Sequence, residues 1–390
     1  MDFLRRHFFD LACAPAVVWL QWVLAGRVQG LLATRWHGLV RAGTYLSAGL
    51  IVFAFTVSLP WVSQWLPFSA PVEWMKAAGL VWAICTAGAW GIDLLWRGAV
   101  RVAKPLSLPG GHDPQRRKLL LAGRTAAMSM PAVMLGYGSF IERNHFRLVE
   151  TRVEIPGLHK DLAGLRIVQL SDLHFGPFFG PRDLRYAIDM ANATRAHVAL
   201  VTGDLITGHS DPLDECLGLL RSLRGEAGVL GCMGNHEIVA DCEDYAEWKG
   251  RAAGIRFLRD KAETLPFGSA ELNIAGVDYQ PKGKPYLRHS APLVREGKLN
   301  LLLSHNPDVF PVAAAQNWDL TLAGHTHGGQ ITVEILGVNA NVARFYTPYV
   351  YGHYKKDGRQ IYVSRGLGTV GIPSRFGAPP EVSLLTLCAT

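Results

Sequence analysis

The sequence predicts an α/β sandwich with a mixed sheet, preceded by an α-helical membrane region. Three observations carry this expectation. Charge is unevenly placed: residues 1–150 hold 15 Lys/Arg and 7 Asp/Glu, a net +8, whereas residues 151–390 hold 24 and 25, a net −1. From Ala42 to Val72 there are 31 consecutive residues without Asp, Glu, Lys or Arg. From about residue 148 onward, strand-like and helix-like patterns alternate. Over 390 residues, 49% are apolar and 18% charged, against about 25% charged in soluble domains. With Gly 41 and Pro 22, collagen, low-complexity polymer and a wholly disordered chain are excluded. The positive charge belongs to the apolar part, so it marks a membrane anchor and not a nucleic-acid-binding face.

Residues 1–145 are expected to form this anchor, with three or four spans. Leu46–Leu66 is long enough to cross a hydrocarbon core of ~30 Å. Ala77–Trp96 is interrupted only by Asp93, placed near the interface and given no role. Leu119–Phe140 carries Arg124 one turn inside its start, where it can snorkel to the headgroups. Leu11–Ala33 is weaker, because Pro15 and Gln21 sit inside it and the run stops at Arg27. Arg27, Arg35 and Arg41, and later Arg97, Arg101, Lys104, Arg116, Arg117 and Lys118, mark the cytoplasmic loops; Pro67–Lys76 contains only Lys76. The remainder is thereby sent to the outer face of the cell (inner) membrane. Gln115-Arg-Arg-Lys-Leu-Leu-Leu is similar to an internal twin-arginine export signal. Ordinary positive-inside charge is the preferred explanation, and both point the following domain outward. No small-residue cleavage site follows, so a retained anchor is expected.

Residues 148–390 read as one catalytic domain. Arg147–Ile155 alternates as a half-buried strand does, and Leu165–Leu170 is a short apolar run. Pro181–Arg195 repeats Leu184, Ile188 and Ala191 at helical spacing, with Pro181 suited to a first turn. Val198–Val201 and Val229–Met233 are buried-strand runs on either side of an amphipathic helix, Pro212–Leu223. Further strands are read at Leu272–Val277, Leu299–Leu303, Leu320–Ala323, Ile331–Val333 and Ile361–Val363.

Five of these runs end in metal-type ligands: Asp172-Leu-His174, Gly203-Asp204, Gly234-Asn-His-Glu237, Ser304-His305 and Gly324-His-Thr-His327. In open α/β sheets the carboxyl ends of the strands meet at one rim, so ligands far apart in the chain converge. Two transition-metal ions can be built from two Asp, one Asn and five His. The absence of Cys from the set disfavours structural zinc and fits Mn²⁺, Fe²⁺ or Zn²⁺ in an open site.

In this order the five pieces resemble the signatures of the calcineurin-like metallophosphoesterases. The strings IVQLSDLHFGP, LLSHNPD, GHTHGGQ and YVSRGLGTVGIPSRFGAPPE resemble a membrane-bound or exported branch that includes relatives of UDP-2,3-diacylglucosamine pyrophosphatase. The resemblance implies a four-layer α-β-β-α sandwich with Asp172, His174 and His327 on one metal, Asn235, His305 and His325 on the other, and Asp204 bridging. His236 stays off the metals and approaches a phosphate or leaving-group oxygen. The implied catalytic residues are thus His236, Asp204 and Asn235, and the reaction is attack of metal-activated hydroxide on a phosphoester or pyrophosphate. The expected substrate is a phosphorylated small molecule, lipid-linked if membrane attachment guides the chemistry. An outward-facing site argues against a substrate made in the cytoplasm. A nuclease or cyclic-nucleotide phosphodiesterase is the alternative enzyme, although the net charge of the domain gives no broad basic groove. A non-catalytic metal-bound scaffold or sensor is the alternative outside enzymology, disfavoured because no signature residue is missing.

Substrate clues are fewer. Phe175, Phe178 and Phe179 form either an acyl-binding lip or a loop packed on its own core. Lys282, Lys284, Arg288, Arg295 and Lys298 either meet a polyanionic head group or form a solvated loop, the second being the first reading. Arg365 and Arg375 are candidates for phosphate contact, with a structural salt bridge as the other possibility. Phe345, Tyr346, Tyr349, Tyr351 and Tyr354 either line a groove or pack beneath a loop. The cysteines, without any CxxC, read as buried thiols, with a disulfide among Cys216, Cys232, Cys242 and Cys388 left open.

Overall fold

The computed structural model describes residues 2–30, 33–57, 59, 62, 69–103, 114–283, 285–335 and 338–390. Much of the end of the Leu46–Leu66 window, together with Lys104 and Lys284, lies outside them. The chain divides into two compact units, Met1–Gly138 and Ser139–Thr390.

The first unit is helical: α1 Asp2–Gln29, α2 His37–Val57, α3 Ala70–Ala103 and α4 Pro114–Phe140. Among the described residues, three stretches, Thr34–Val57, Ala70–Val102 and Pro114–Asn144, are long and apolar enough to cross a membrane. The helices exceed the apolar windows because a charge ends a hydrophobic run but not a helix; Glu, Lys and Arg are good helix formers. At its other end α2 stops at Val57, three residues before Pro60, which cannot extend a helix. Helices α2 and α3 approach closely at Gly79, where a Cβ would lie 2.7 Å from that of Ala54. Arg124 is not free to snorkel as expected: it pairs with Asp93, which is fully buried.

The second unit contains β1 Arg147–Ile155, β2 Arg166–Leu170, α5 Pro181–Ala193, β3 Val198–Thr202, α6 Leu213–Leu220, β4 Val229–Cys232, α7 Asn235–Val239, α8 Glu243–Ala252, β5 Ile255–Phe257, β6 Lys261–Phe267 and β7 Ala270–Gly276. It continues with β8 Leu299–Leu303, α9 Phe310–Ala315, β9 Leu320–Ala323, β10 Thr332–Ile335, β11 Val338–Asn341, β12 Gly352–Lys356, β13 Arg359–Val363 and β14 Glu381–Ala389. Two six-stranded mixed sheets result, ordered β1-β14-β2-β3-β4-β5 and β12-β13-β9-β8-β7-β6, beside a β10-β11 ribbon.

Ile167, Leu200 and Leu230 from the first sheet share one core with Leu272, Leu301 and Leu322 from the second. Helices α5, α6 and α8 cover the first sheet's outer face through Leu184, Ile188, Leu217 and Ala246. On the other side Val309, Ala313 and Trp318 pack beneath the second sheet, with Phe310 beside them. The layers therefore run α-β-β-α, and the last is thin because α9 has only six residues.

Strand β14 is absent from the runs read in the sequence. It inserts between β1, to which it is parallel, and β2, to which it is antiparallel. Being mostly buried, its stretch EVSLLTLCA lacks the clean alternation of a half-exposed strand. The six cysteines are unpaired in the structure; only Cys216 and Cys232 are buried, and burial pushes their thiols up, while Cys13, Cys85, Cys242 and Cys388 are partly exposed.

Candidate metal centre

The ligand-bearing segments all leave the carboxyl ends of strands: β2 leads to Asp172 and His174, β3 to Asp204, β4 to Asn235 and His236, β8 to His305, and β9 to His325 and His327. The two packed sheets thus contribute to a single rim. Turning inward there requires strained backbone. Asp172, His174, Asp204, His325 and His327 adopt φ of 52°, 44°, 54°, 74° and 53°, in the left-handed region that L-residues seldom enter. Such strain persists only where surrounding bonds over-determine it. Asp172 N donates to Gly203 O at 3.1 Å and His174 N to Asp204 O at 3.0 Å. His325 N donates to Asp172 Oδ1 at 2.8 Å, and His236 N to Asp204 Oδ1 at 2.9 Å. Gly203 has φ +84°, and a Cβ there would meet Gly234 N at 2.6 Å and His305 Nδ1 at 2.9 Å, so the β3 and β4 turns can be this close only with glycine.

Three overlapping groups place their ligand atoms within 4.8 Å of one another: Asp172, His174 and His327; His174, Asp204 and His236; Asp204, His305 and His325. Asp204 Oδ2 lies 3.5 Å from His174 Nε2 and 3.0 Å from His305 Nε2, at the junction of the groups. His174 Nε2 and His327 Nε2 face each other at 3.1 Å.

The donor atoms fit metal ions. Buried Asp172 Oδ2 and Asn235 Oδ1 have no hydrogen-bond partner, a costly state unless a cation takes their lone pairs. His305 Nδ1 meets Thr202 O at 2.7 Å; a carbonyl only accepts, so the ring's proton sits on Nδ1 and Nε2 is left for a ligand bond. Although burial opposes it, His305 and His174 hold the Asp204 carboxylate well below its usual range, while burial pushes Asp172 up. Against its own burial, His305 is driven up to about 10 by Asp204 and Asp172, so a cation has to displace the Nε2 proton before that nitrogen can serve as its ligand. Burial lowers His325 to about 4 and His327 well below its ordinary value, keeping both neutral, as metal binding needs.

His236 packs its ring edgewise on His174, centroids 4.7 Å apart. Its Nδ1 meets Thr207 O at 2.7 Å, so that nitrogen carries a proton and Nε2 is available to a substrate. Thr207 Oγ1 also lies 3.1 Å from His174 Nδ1, and one residue thus orients two rings.

Glu237 and Tyr279 were not among the expected site residues. Glu237 is fully buried and accepts from Asp204 N at 3.0 Å, Leu205 N at 2.7 Å and Gly234 N at 2.7 Å. Its signal is a glutamate three residues after a helix N-cap, the capping-box spacing. The Tyr279 ring lies 5.4 Å from that of His325, and burial, reinforced by Asp204, pushes its hydroxyl to about 12. It follows β7 just as the ligands follow their strands.

Arg375 lies behind the rim, against the ligand residue His327: its Nη2 is 3.4 Å from His327 Nδ1 and its Nη1 3.5 Å from His327 O. It is fully buried, its guanidinium donating to the carbonyls of Gly368 at 3.0 Å, Arg365 at 3.0 Å and Ala378 at 2.9 Å. That corrects the expectation of phosphate contact: burial and carbonyl pairing make Arg375 a clamp on its loop. The clamped loop presents Leu367 N to Ser171 O at 3.0 Å and Gly368 N to Asp172 O at 2.7 Å. Arg365 pairs with Glu381 at 2.7 Å and stacks 4.3 Å over Tyr351. Phe175 and Phe179 belong to the core, so they form no lip. Tyr349 and Tyr354 pack edge to face, whereas Phe345 and Tyr346 stay exposed. Of the basic stretch, Lys298 pairs with Glu271 at 2.7 Å and Arg288 is exposed, as on a solvated loop.

The comparisons agree with this geometry. The family model for calcineurin-like phosphoesterases matches residues 165–329. A metallophosphoesterase of Aquifex aeolicus is 30% identical over 263 residues, covering 66% of this chain and 97% of that protein. Phosphodiesterase YaeI of Escherichia coli is 29% identical over 293 residues, covering 70% and 98%. A transmembrane protein with a metallophosphoesterase domain from Danio rerio is 28% identical over 277 residues, covering 67% and 62%. Strand-end ligands, orphaned donor atoms and near full-length likeness to the Aquifex protein lead to one conclusion: the chain belongs to the calcineurin-like phosphoesterases, a family of metal-dependent phosphoester hydrolases.

Proposed function

We propose a membrane-anchored, dimetal phosphoesterase, with residues 1–145 as the anchor and 148–390 as the catalytic domain facing away from the cytoplasm across the inner membrane. The observation that carries the dimetal reading is Asp204 Oδ2, set between His174 Nε2 and His305 Nε2 beside the orphaned oxygens of Asp172 and Asn235. Asp172, His174 and His327 would hold one divalent ion, Asn235, His305 and His325 the other, and Asp204 would serve both. When bound, such ions lower the pKa of a water and draw charge from phosphate oxygens.

The chain's own residues do the rest. Asn235 gives a neutral oxygen and so adds no charge to repel a phosphate. His236, aimed by Thr207, presents Nε2 to the departing oxygen and supplies a proton or positive charge there. Exposed Ile238, Val239 and Trp248 follow His236 in the chain, and exposed Phe345 and Tyr346 follow the His327 segment. These apolar groups support a lipid-linked phosphoester or pyrophosphate as substrate. Arg365, partly exposed and two residues before the Leu367 N that donates to Ser171 O, is the cation that would meet a phosphate.

The test is hydrolysis of a generic aryl phosphodiester by metal-stripped full-length protein after Mn²⁺ addition. Activity should return with two bound ions. His236→Asn should lower kcat by about 10²–10³-fold with both ions retained; ion loss in that variant would instead make His236 a ligand, and wild-type turnover would remove its role. For orientation, alkaline phosphatase fused after Thr151 should be active in cells. A stable but silent fusion would place the domain on the cytoplasmic side.

A further inference from the structure

The helical unit contains charges that phosphoester hydrolysis does not use. Asp93 of α3 is fully buried, and three arginines converge on it from three helices. Arg97 Nε, also from α3, lies 3.0 Å from Oδ2, which Arg27 of α1 shares; Arg124 Nε of α4 lies 3.0 Å from Oδ1. Among the described residues, no other carboxylate is within ion-pair reach of these guanidiniums. Three cations against one anion leave two positive charges in excess. Excess charge within apolar helices is expensive unless a counter-charge arrives, and the three guanidiniums are partly exposed, so a bound anion can supply it.

The surroundings indicate what brings it. A cleft of about 690 Å³ opens between the four helices, lined by Leu24, Val28, Leu46, Leu50, Trp82 and Met128. Its walls continue into the cluster: Val28 adjoins Arg27, Met128 lies one turn after Arg124, and the lining residue Ala89 lies one turn before Asp93. One polar side chain in the lining is incompletely satisfied. Gln21, 5% exposed, donates through Nε2 to Thr44 O at 2.8 Å and to Ser47 Oγ, yet its Oε1 has no hydrogen-bond partner. Gln21 precedes Arg27 by six residues, about 9 Å along the helix.

We propose that the helical unit holds a specific site for one anionic lipid. Its phosphate is bound by Arg27, Arg97 and Arg124, and an acyl chain fills the cleft. Charge selects the head group, and the cleft excludes a free phosphate as sufficient ligand. The proposal rests on the membrane reading of this unit, though not on the chemistry of the metal centre.

The experiment uses full-length protein in detergent, with lipid retention counted by native mass spectrometry and thermal unfolding followed in parallel. Phosphatidylglycerol should be retained at one per chain and raise Tm. Phosphatidylcholine with the same chains should bind about tenfold more weakly, and glycerol 3-phosphate should not compete at the same concentration. The double variant Arg27→Gln/Arg124→Gln leaves Asp93 paired with Arg97, so no charge is orphaned. It should lose about tenfold in phosphatidylglycerol affinity while hydrolysing the soluble aryl ester normally. Equal retention of the two lipids, or undiminished retention in the active double variant, would overturn the proposal; if that variant misfolds, the wild-type lipid series decides. Extraction of the native protein from membranes by alkaline carbonate without detergent would sink the membrane reading. An integral protein without lipid selectivity would sink this inference alone.

Discussion

Asp204→Asn is expected to reduce metal-dependent hydrolysis by at least about 10³-fold, because one substitution removes the charge shared by both ion positions. The fold should survive. Asp204 Oδ1 accepts from His236 N at 2.9 Å, and asparagine can keep that bond with its own carbonyl oxygen. Only Oδ2 changes, from carboxylate oxygen to amide nitrogen, at the position 3.5 Å from His174 Nε2 and 3.0 Å from His305 Nε2. The amide presents N–H groups where a cation needs a lone pair. Metal analysis of the purified variant should therefore show loss of at least one ion per chain, with a near-native circular dichroism spectrum. Turnover within tenfold of wild type, with both ions retained, would rule out the bridging role.

Much of this site is legible in the sequence because its chemistry is local. A short apolar run that stops at Asp, Asn or His marks a strand end, and strand ends of packed sheets share a rim. The runs before Asp172, Asp204, Asn235, His305 and His325 need no long-range information to be found. Strand β14 is harder. Its residues show neither alternation nor a ligand, and its position between β1 and β2 is decided by pairing across more than 200 residues of chain. Arg375 shows the other limit. A cation after a rigid Gly-Ile-Pro turn has the same local sequence whether it faces a phosphate or backbone carbonyls. Only the packed loop, with Gly368, Arg365 and Ala378 offering oxygens, selects the second. The Asp93 cluster is hidden for a related reason. Arg27 and Arg124 are 97 positions apart, and each alone reads as a flanking charge of its own span.

Glu237→Ala should cost about 3 kcal/mol of stability and Glu237→Gln somewhat less, an order set by how many buried donors each leaves unpaired. The wild-type carboxylate spreads three bonds over two oxygens: Oε1 accepts from Leu205 N, and Oε2 from Asp204 N and Gly234 N. Alanine abandons all three. Glutamine retains one oxygen and turns an amide nitrogen toward at least one N–H, a donor facing a donor. The consequences extend to metal binding because these peptides carry the ligands: one belongs to Asp204 itself, and Gly234 immediately precedes Asn235. Loosening them should weaken metal affinity by about 10–100-fold, the usual effect of removing a group that orients a ligand. Denaturant unfolding of chelated protein and metal titration of folded protein separate the two effects. If Glu237 acts by holding the β3 and β4 turns together, stability and affinity should fall together in both variants, alanine below glutamine. A glutamine variant with wild-type affinity would show that the turns hold their shape without it. The strained φ of 54° at Asp204 would then have to be fixed by its remaining bonds, those from His174 N and His236 N.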